Sequence, residues 1–531
     1  MTTEEKTRKL WTKFYNGEIT RREFITKATI LGAAVAISPS LLPSTALSST
    51  PKKGGRFRLG LNDFATTDTL DPSLNYTRMQ LHLNYQIRNT LIETGPGGKL
   101  HPELAESWEA TSDAKTWTFR LRKGVEFHNG KSFEAEDVVF SYQIHTGENS
   151  KSSAKALIAG VKEIKAVDKH TVSFVLKEGN VDFPSITTLF TLTIVPAGTT
   201  DFEKGIGTGP YILDDFEPGV RSLTKKNPNY FREDRPHFDE VEILAISDVN
   251  SRTNALVTGE VDAINFADNK TVHLLEKNKK VKVVRSQGKM HYLYPMRTDT
   301  APYDNPDVRM ALKYVIDREQ IVKMILRGYG TVGNDHPLCP AYSSYVPGLP
   351  QRKYDPDKAK FHLKKAGLEN HTFKIHAADV TFSGAVDGAL LYQQHAKKAG
   401  IKIEVVKEPA DGFWNDVWMK KPWFSSRWSG RPTANLMIAT AYASGASWNE
   451  SYFTDAQLDK LLKASRIEFD KAKRAEMYLD MQRILNEQGG AVIPAFADFV
   501  DVVSKNVGFG DLSSEWDLDG GRCAERWWFK S

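Results

Sequence analysis

Thr116-Trp117-Thr118-Phe119-Arg120-Leu121 alternates polar and apolar residues, the period-two pattern of a half-buried strand. Lys123-Gly124 then breaks it, and Val125-Glu126-Phe127 resumes it, so this stretch predicts a hairpin. His128-Asn129-Gly130-Lys131 is a second turn. Beyond it, Glu134, Glu136 and Asp137 load acid into the first turn of a helix running on through Val138 and Phe140. Strand, turn and helix within some 30 residues set the theme for the rest of the chain.

Outward from this block the same alternation continues. Gly55 to Leu61 reads as a strand. Asn305-Pro306 starts a helix with Val308, Ala311, Leu312 and Val315 on its apolar face. Asp317 with Gln320 resembles a capping box for a following helix ending near Gly328. Asp355-Pro356 starts another, with Ala359, Leu363 and Ala366 inward and Gly367 at its end. Residues 455–488 carry two amphipathic helices. No low-complexity linker and no fixed-period repeat interrupts the series, which predicts a large α/β protein of closely joined lobes.

The N-terminus reads differently. Thr20-Arg21-Arg22-Glu23-Phe24-Ile25-Thr26-Lys27 precedes an apolar stretch from Ala28 to Ile37, and small residues follow up to Ala46. A charged segment, a short apolar core and small residues describe an export signal of twin-arginine type, 1–46, with cleavage after Ala46. The apolar run is about half of the ~20 residues that span a bilayer. Pro39 and Pro43 argue against an ordinary amphipathic helix there. No cysteine lies near the cleavage point, so a free form without a lipid anchor is expected.

Residues 1–46 hold seven Lys/Arg and four Asp/Glu, leaving 64 and 62 in the remainder, a net of about +2 against +5 for the whole. No basic block suggests nucleic acid. The two cysteines, Cys339 and Cys523, are compatible with a disulfide in an oxidising compartment or with two buried thiols.

Gly205-Ile206-Gly207-Thr208-Gly209 has the glycines of a phosphate loop, but Pro210-Tyr211-Ile212-Leu213 follows as a strand where such a loop needs a helix. Zinc, redox and hydrolase motifs are missing, and the histidines are scattered singly. The expectation is therefore no cofactor, no metal site and no catalytic residue. A cofactor-bearing enzyme exported by the same route would need a motif of this kind.

Taken together, Ala105-Glu106-Ser107-Trp108, the block from Thr116 to Gly130 and Ala135 to Ser141 resemble the signature of the bacterial extracellular solute-binding proteins, family 5. Four further blocks follow in the family's order: Gly207 to Tyr211, Ala255 to Asp262, Val308 to Arg318, and Asp355 to Gly367. The resemblance implies a two-lobed, class II periplasmic-binding-protein-like α/β fold with an extra domain and a cleft between lobes. Carried onto this chain, domain I takes 52–92, 205–290 and 497–531, domain II 93–204 and domain III 291–496. It also implies a monomeric periplasmic receptor that closes on a small solute and delivers it to the permease and ATPase subunits of an ABC importer.

Peptide-binding relatives carry Trp followed three residues later by Asp, whose carboxylate meets the ligand's amino group. Here Trp428-Ser429-Gly430-Arg431 reverses that charge. A guanidinium presents a planar fork suited to carboxylate or phosphate, so an acidic or polyhydroxylated ligand is expected, with a dipeptide or oligopeptide as the alternative. Arg431 turned outward, or paired with a nearby acid, is the competing reading. Phe413, Trp414, Trp418, Trp423, Phe424, Trp428 and Trp448 surround this loop, and Trp428 and Trp448 are the expected stacking faces. Arg78, Arg297, His336 and Phe496 are further candidates by their position in the family, Arg297 standing where the family usually has Asn.

Overall fold

The computed structural model describes residues 51–147 and 150–531; the predicted export signal lies outside them. They divide into two compact units, one formed by 51–286 with 499–531 and the other by Gln287–Asp498. The chain passes between the units twice, inside the long strands Val281–Pro295 and Ala491–Ser504.

The first unit is built on a mixed sheet. Arg56–Leu61 lies parallel to both Glu240–Ala245 and Ala263–Ile264, and Arg221–Lys226 and Tyr211–Glu217 extend it antiparallel. Phe57, Leu59 and Leu61, one face of the strand by the period-two rule, are fully buried. Gly207 and Gly209 explain the glycine run. A Cβ on either would stand 2.1 Å from the Ile87 carbonyl or 2.4 Å from that of Gln86, so the chain crosses the end of the Arg78–Ile87 helix at backbone contact.

A separate antiparallel sheet orders Ala105–Ala110, Thr116–Leu121, Thr171–Leu176 and Val161–Asp168. Its core holds Trp117, Phe119, Leu121 and Phe174, with the Phe119 and Phe174 rings 5.4 Å apart edge to face. The predicted hairpin is corrected here. Other strands fill both edges of Thr116–Leu121, the preceding Ala105–Ala110 with Ala110 opposite Trp117 and the distant Thr171–Leu176 with Phe174 opposite it. Val125 and Phe127 instead enter the core from a turn closed by the Phe127 N–H on the Lys131 carbonyl at 2.8 Å. The helix after it, Ala135–Gln143, has Glu134 and Asp137 as a reciprocal cap.

The Gln287–Asp498 unit packs Pro306–Tyr314, Pro356–Lys365 and Ala385–Lys398 with the parallel pair Thr372–Ala377 and Lys402–Lys407. A second cluster gathers Ala434–Ala441, Ala456–Ile467 and Lys471–Glu487. Asn305, Asp355 and Asp455 cap their helices through side-chain oxygens, as their positions predict. Asp317 caps Arg318–Met324 as well, but the Gln320 amide returns to the Asp317 carboxylate and not to its N–H, so the predicted box is only half formed.

Cys339 and Cys523 are free and form no disulfide. Each is buried in a different unit, inside a different apolar cluster, where it packs as a small hydrophobe. Among the described residues no helix is long and apolar enough to cross a membrane.

Candidate functional site

Within the Gln287–Asp498 unit, Ser426–Trp428 pairs antiparallel with Val281–Pro295, setting Trp428 opposite His291. The chain then runs through Ser429, Gly430 and Arg431 to the helix Ala434–Ala441, which Thr433 caps by accepting from the Leu436 N–H at 3.1 Å. Gly430 passes directly over Lys289. A Cβ there would lie 2.4 Å from the Lys289 Cβ, so no larger residue fits without moving the loop. Gly430→Ala is expected to cost about 1–3 kcal/mol, read as a lower urea midpoint.

This tight passage delivers Arg431 to the face of Trp428. Its guanidinium carbon lies 5.2 Å from the Trp428 ring centre, and its backbone N–H donates to the Tyr342 hydroxyl at 3.1 Å. Arg431 is partly buried, and loss of water lowers its pKa. Among the described residues it makes no ion pair. Trp448, about half exposed, tilts against Trp428 with ring centres 5.9 Å apart.

Behind the rings lies a group that the sequence reading passed over. Glu450 is buried, and its carboxylate accepts from the Trp418 indole N–H, from the Ser426 hydroxyl at 2.5 Å and from the Trp428 indole N–H at 2.9 Å. Burial pushes its pKa up to about 7, against the opposing pull of these three donors. Beside it, the Tyr442 hydroxyl and His291 Nε2 are 2.8 Å apart, and burial lowers His291 to about 3. The signal for Glu450 in the sequence is slight: one acid following Trp448-Asn449 in an aromatic-rich region.

The structure thus brings together Trp428, Gly430, Arg431 and Trp448. It holds the other candidates elsewhere. Phe496 is buried in the core with its ring 5.5 Å from His291. His336 is buried beside Tyr345, and burial lowers it to about 4. Arg297 is engaged with the Asp299 carboxylate at 2.8 Å and lies over the Tyr452 ring. Arg78 belongs to the other unit, between the Phe266 and Trp516 rings and 3.4 Å from Asp517.

The profile of the Bacterial extracellular solute-binding proteins, family 5 Middle, matches residues 99–450. The chain belongs to this family. Family 5 proteins deliver solutes to ABC permease and ATPase components, and this receptor is a substrate-binding protein of that kind. It is 27% identical over 492 residues to the glutathione-binding protein GsiB of Escherichia coli O6:K15:H31, covering 89% of this chain and 94% of the relative. It is also 27% identical to heme-binding protein A of Haemophilus influenzae, covering 81% and 83%. Among solved structures, the PBP AgaA from A. tumefaciens R10, in complex with agropinic acid, matches with a TM-score of 0.71 and 26% identity, covering 90% of this chain and 99% of that one. HbpA2 from Haemophilus parasuis shares the fold at a TM-score of 0.78 and 22% identity, covering 88% and 99%.

Proposed function

We propose that this family 5 receptor captures a solute bearing an acidic or polyhydroxylated group, with Arg431 as the anchor and Trp428 and Trp448 as its flat walls. The observation that carries the reading is the partly dehydrated Arg431 guanidinium over Trp428, with no ion-pair partner among the described residues. A charge taken partly out of water favours an incoming anion, and the planar fork can meet a carboxylate on two N–H groups. The ligand of AgaA is an acid by its name, in keeping with that chemistry. A peptide is the second reading, supported by a di/tripeptide-binding protein of Pseudomonas aeruginosa at 27% identity; its C-terminal carboxylate would answer the same guanidinium.

Binding would act by favouring a closed form that the membrane permease recognises, with no bond made or broken. We assign the receptor to the periplasm, reached by the twin-arginine route that Arg21-Arg22 suggests.

The test is a thermal-shift screen over opines, peptides, sugar acids, phosphosugars and metal chelates. A compound at 100 times its Kd stabilises by about 2.7 kcal/mol. Arg431→Asp should weaken the best acidic compound by about a hundredfold or more, since attraction becomes repulsion. An Arg431→Asp protein that binds that compound with undiminished affinity removes the reading.

A further inference from the structure

We propose that Glu450 is a positioning residue for Arg431, acting through Trp428. It fixes the indole plane by accepting its N–H and makes the ring a stronger seat for the guanidinium. The inference rests on the reading of Arg431 as the anchor and says what aims it.

Three observations converge on Glu450. Its carboxylate is enclosed and meets only neutral donors, namely two indoles and one hydroxyl. A buried carboxylate without a cation in contact is costly, and here the nearest shell consists of groups whose orientation it controls. The donors come from two parts of the chain, Trp418 from the segment after Phe413–Asp416 and Ser426 and Trp428 from their strand. One carboxylate therefore ties both to the loop bearing Trp448. Finally, Trp428 is the middle member of a chain: its N–H edge is on Glu450 and its ring lies under Arg431. An indole whose N–H is held by an anion is richer in electrons at its face, which strengthens attraction to a cation above it. Glu450 thus favours Arg431 over the ring while leaving the guanidinium's donor edges free of a carboxylate.

The charge on Glu450 is then the working variable. Burial raises its pKa to about 7, so lowering the pH from 8 to 6 removes most of that charge. The groups around it do not follow in that window. His291, behind Tyr442, titrates near 3 and His336 near 4, while the Tyr442 hydroxyl is pushed up by burial and by Glu450 itself. Arg431 keeps its charge throughout, and Arg427, between Ser426 and Trp428 on the strand, is exposed.

The experiment needs no ligand, so its failure is distinct from failure of the Arg431 reading, which the Arg431→Asp screen decides. The full chain is labelled with 15N at tryptophan and arginine, and signals are assigned with W428F, W418F and R431K. The indole N–H signals of Trp428 and Trp418 are expected to shift between pH 8 and 6 with one common midpoint near 7. The Arg431 Nε–H signal, displaced by the ring beneath it, should move with the same midpoint. In E450Q, whose amide turns a donor toward one of the donors now bonded, the pH dependence should vanish and the Arg431 displacement shrink. Signals that do not titrate in the unaltered chain, or an Arg431 signal indifferent to Glu450→Gln, overturn the proposal. The titration of the unaltered chain decides the matter even where E450Q does not fold.

Discussion

Asp335→Ala is expected to destabilise the Gln287–Asp498 unit by about 3–5 kcal/mol, because it leaves buried cations without their counter-charge. Asp335 is fully buried, accepting from Arg318 at 2.7 and 2.6 Å, from Arg352 at 2.9 Å and from the Ile493 N–H at 3.0 Å. The cations of this region have a second task. Lys313 donates to the carbonyls of Leu485 and Asn486, Arg352 to that of Asn486, and Arg309 to that of Gln488. These are the last carbonyls of the helix Lys471–Glu487, where acceptors lack intrahelical partners and positive charge is favoured.

Burial alone would raise the Asp335 pKa, but attraction to Arg318, Arg352 and Lys313 outweighs it and holds the group below the ordinary carboxylate range. A depressed carboxylate stabilises the fold at pH above its unfolded value, near 4, and that contribution is lost as pH falls through the folded value. The variant should therefore show its full deficit at neutral pH and a smaller one in acid. Amide hydrogen exchange in Pro306–Tyr314 and Lys471–Glu487 would locate the loss; unchanged protection there would remove this account.

Arg522→Met should cost the other unit a comparable amount, again about 3–5 kcal/mol. Arg522 is buried over the Tyr85 ring, donating to both oxygens of Glu103 at 2.7 and 3.0 Å and to Glu525 at 3.3 Å. Glu93, Glu103 and Glu525 lie close together, and Arg232, Arg235, Arg522 and Arg526 balance them. Burial alone would lower the Arg522 pKa, and attraction to Glu103 and Glu93 reverses that. Without Arg522, Glu103 keeps hydrogen bonds from Asn89 and Thr90 but faces like charges in a dry site. Adding Glu103→Gln should recover part of the loss. A double variant no more stable than Arg522→Met in urea unfolding would show that packing on Tyr85, and not charge, is what Arg522 supplies.

These two networks show where sequence reading stops. Val308 to Arg318 is recognisable as a capped helix followed by another, and its apolar face is in the core as the spacing predicts. Nothing local marks Arg309, Lys313 and Arg318 as internal cations, because their partners lie up to about 180 residues away. The hairpin at Thr116 misleads for the same reason. A strand chooses partners by sheet edge, and Thr171–Leu176 competes successfully with the nearer Val125 to Phe127.

At the site, Arg431 stands out in the sequence because its charge is opposite to that of peptide receptors, and Trp428 and Trp448 because aromatics crowd there. Glu450 carries no such mark; an acid beside Trp and Asn reads as a solvated loop until its burial is seen. The sequence by itself determined the α/β fold class, the helix caps and the positive charge at position 431, since periodicity, capping and side-chain chemistry act over a few residues. Only the tertiary structure decided that Glu450 lies behind Trp428, that Cys339 and Cys523 are unpaired, and that Arg309 and Lys313 hold the end of the helix Lys471–Glu487. Each of these depends on which distant segments are packed together in a low-dielectric interior, and that interior sets the strength of every polar contact within it.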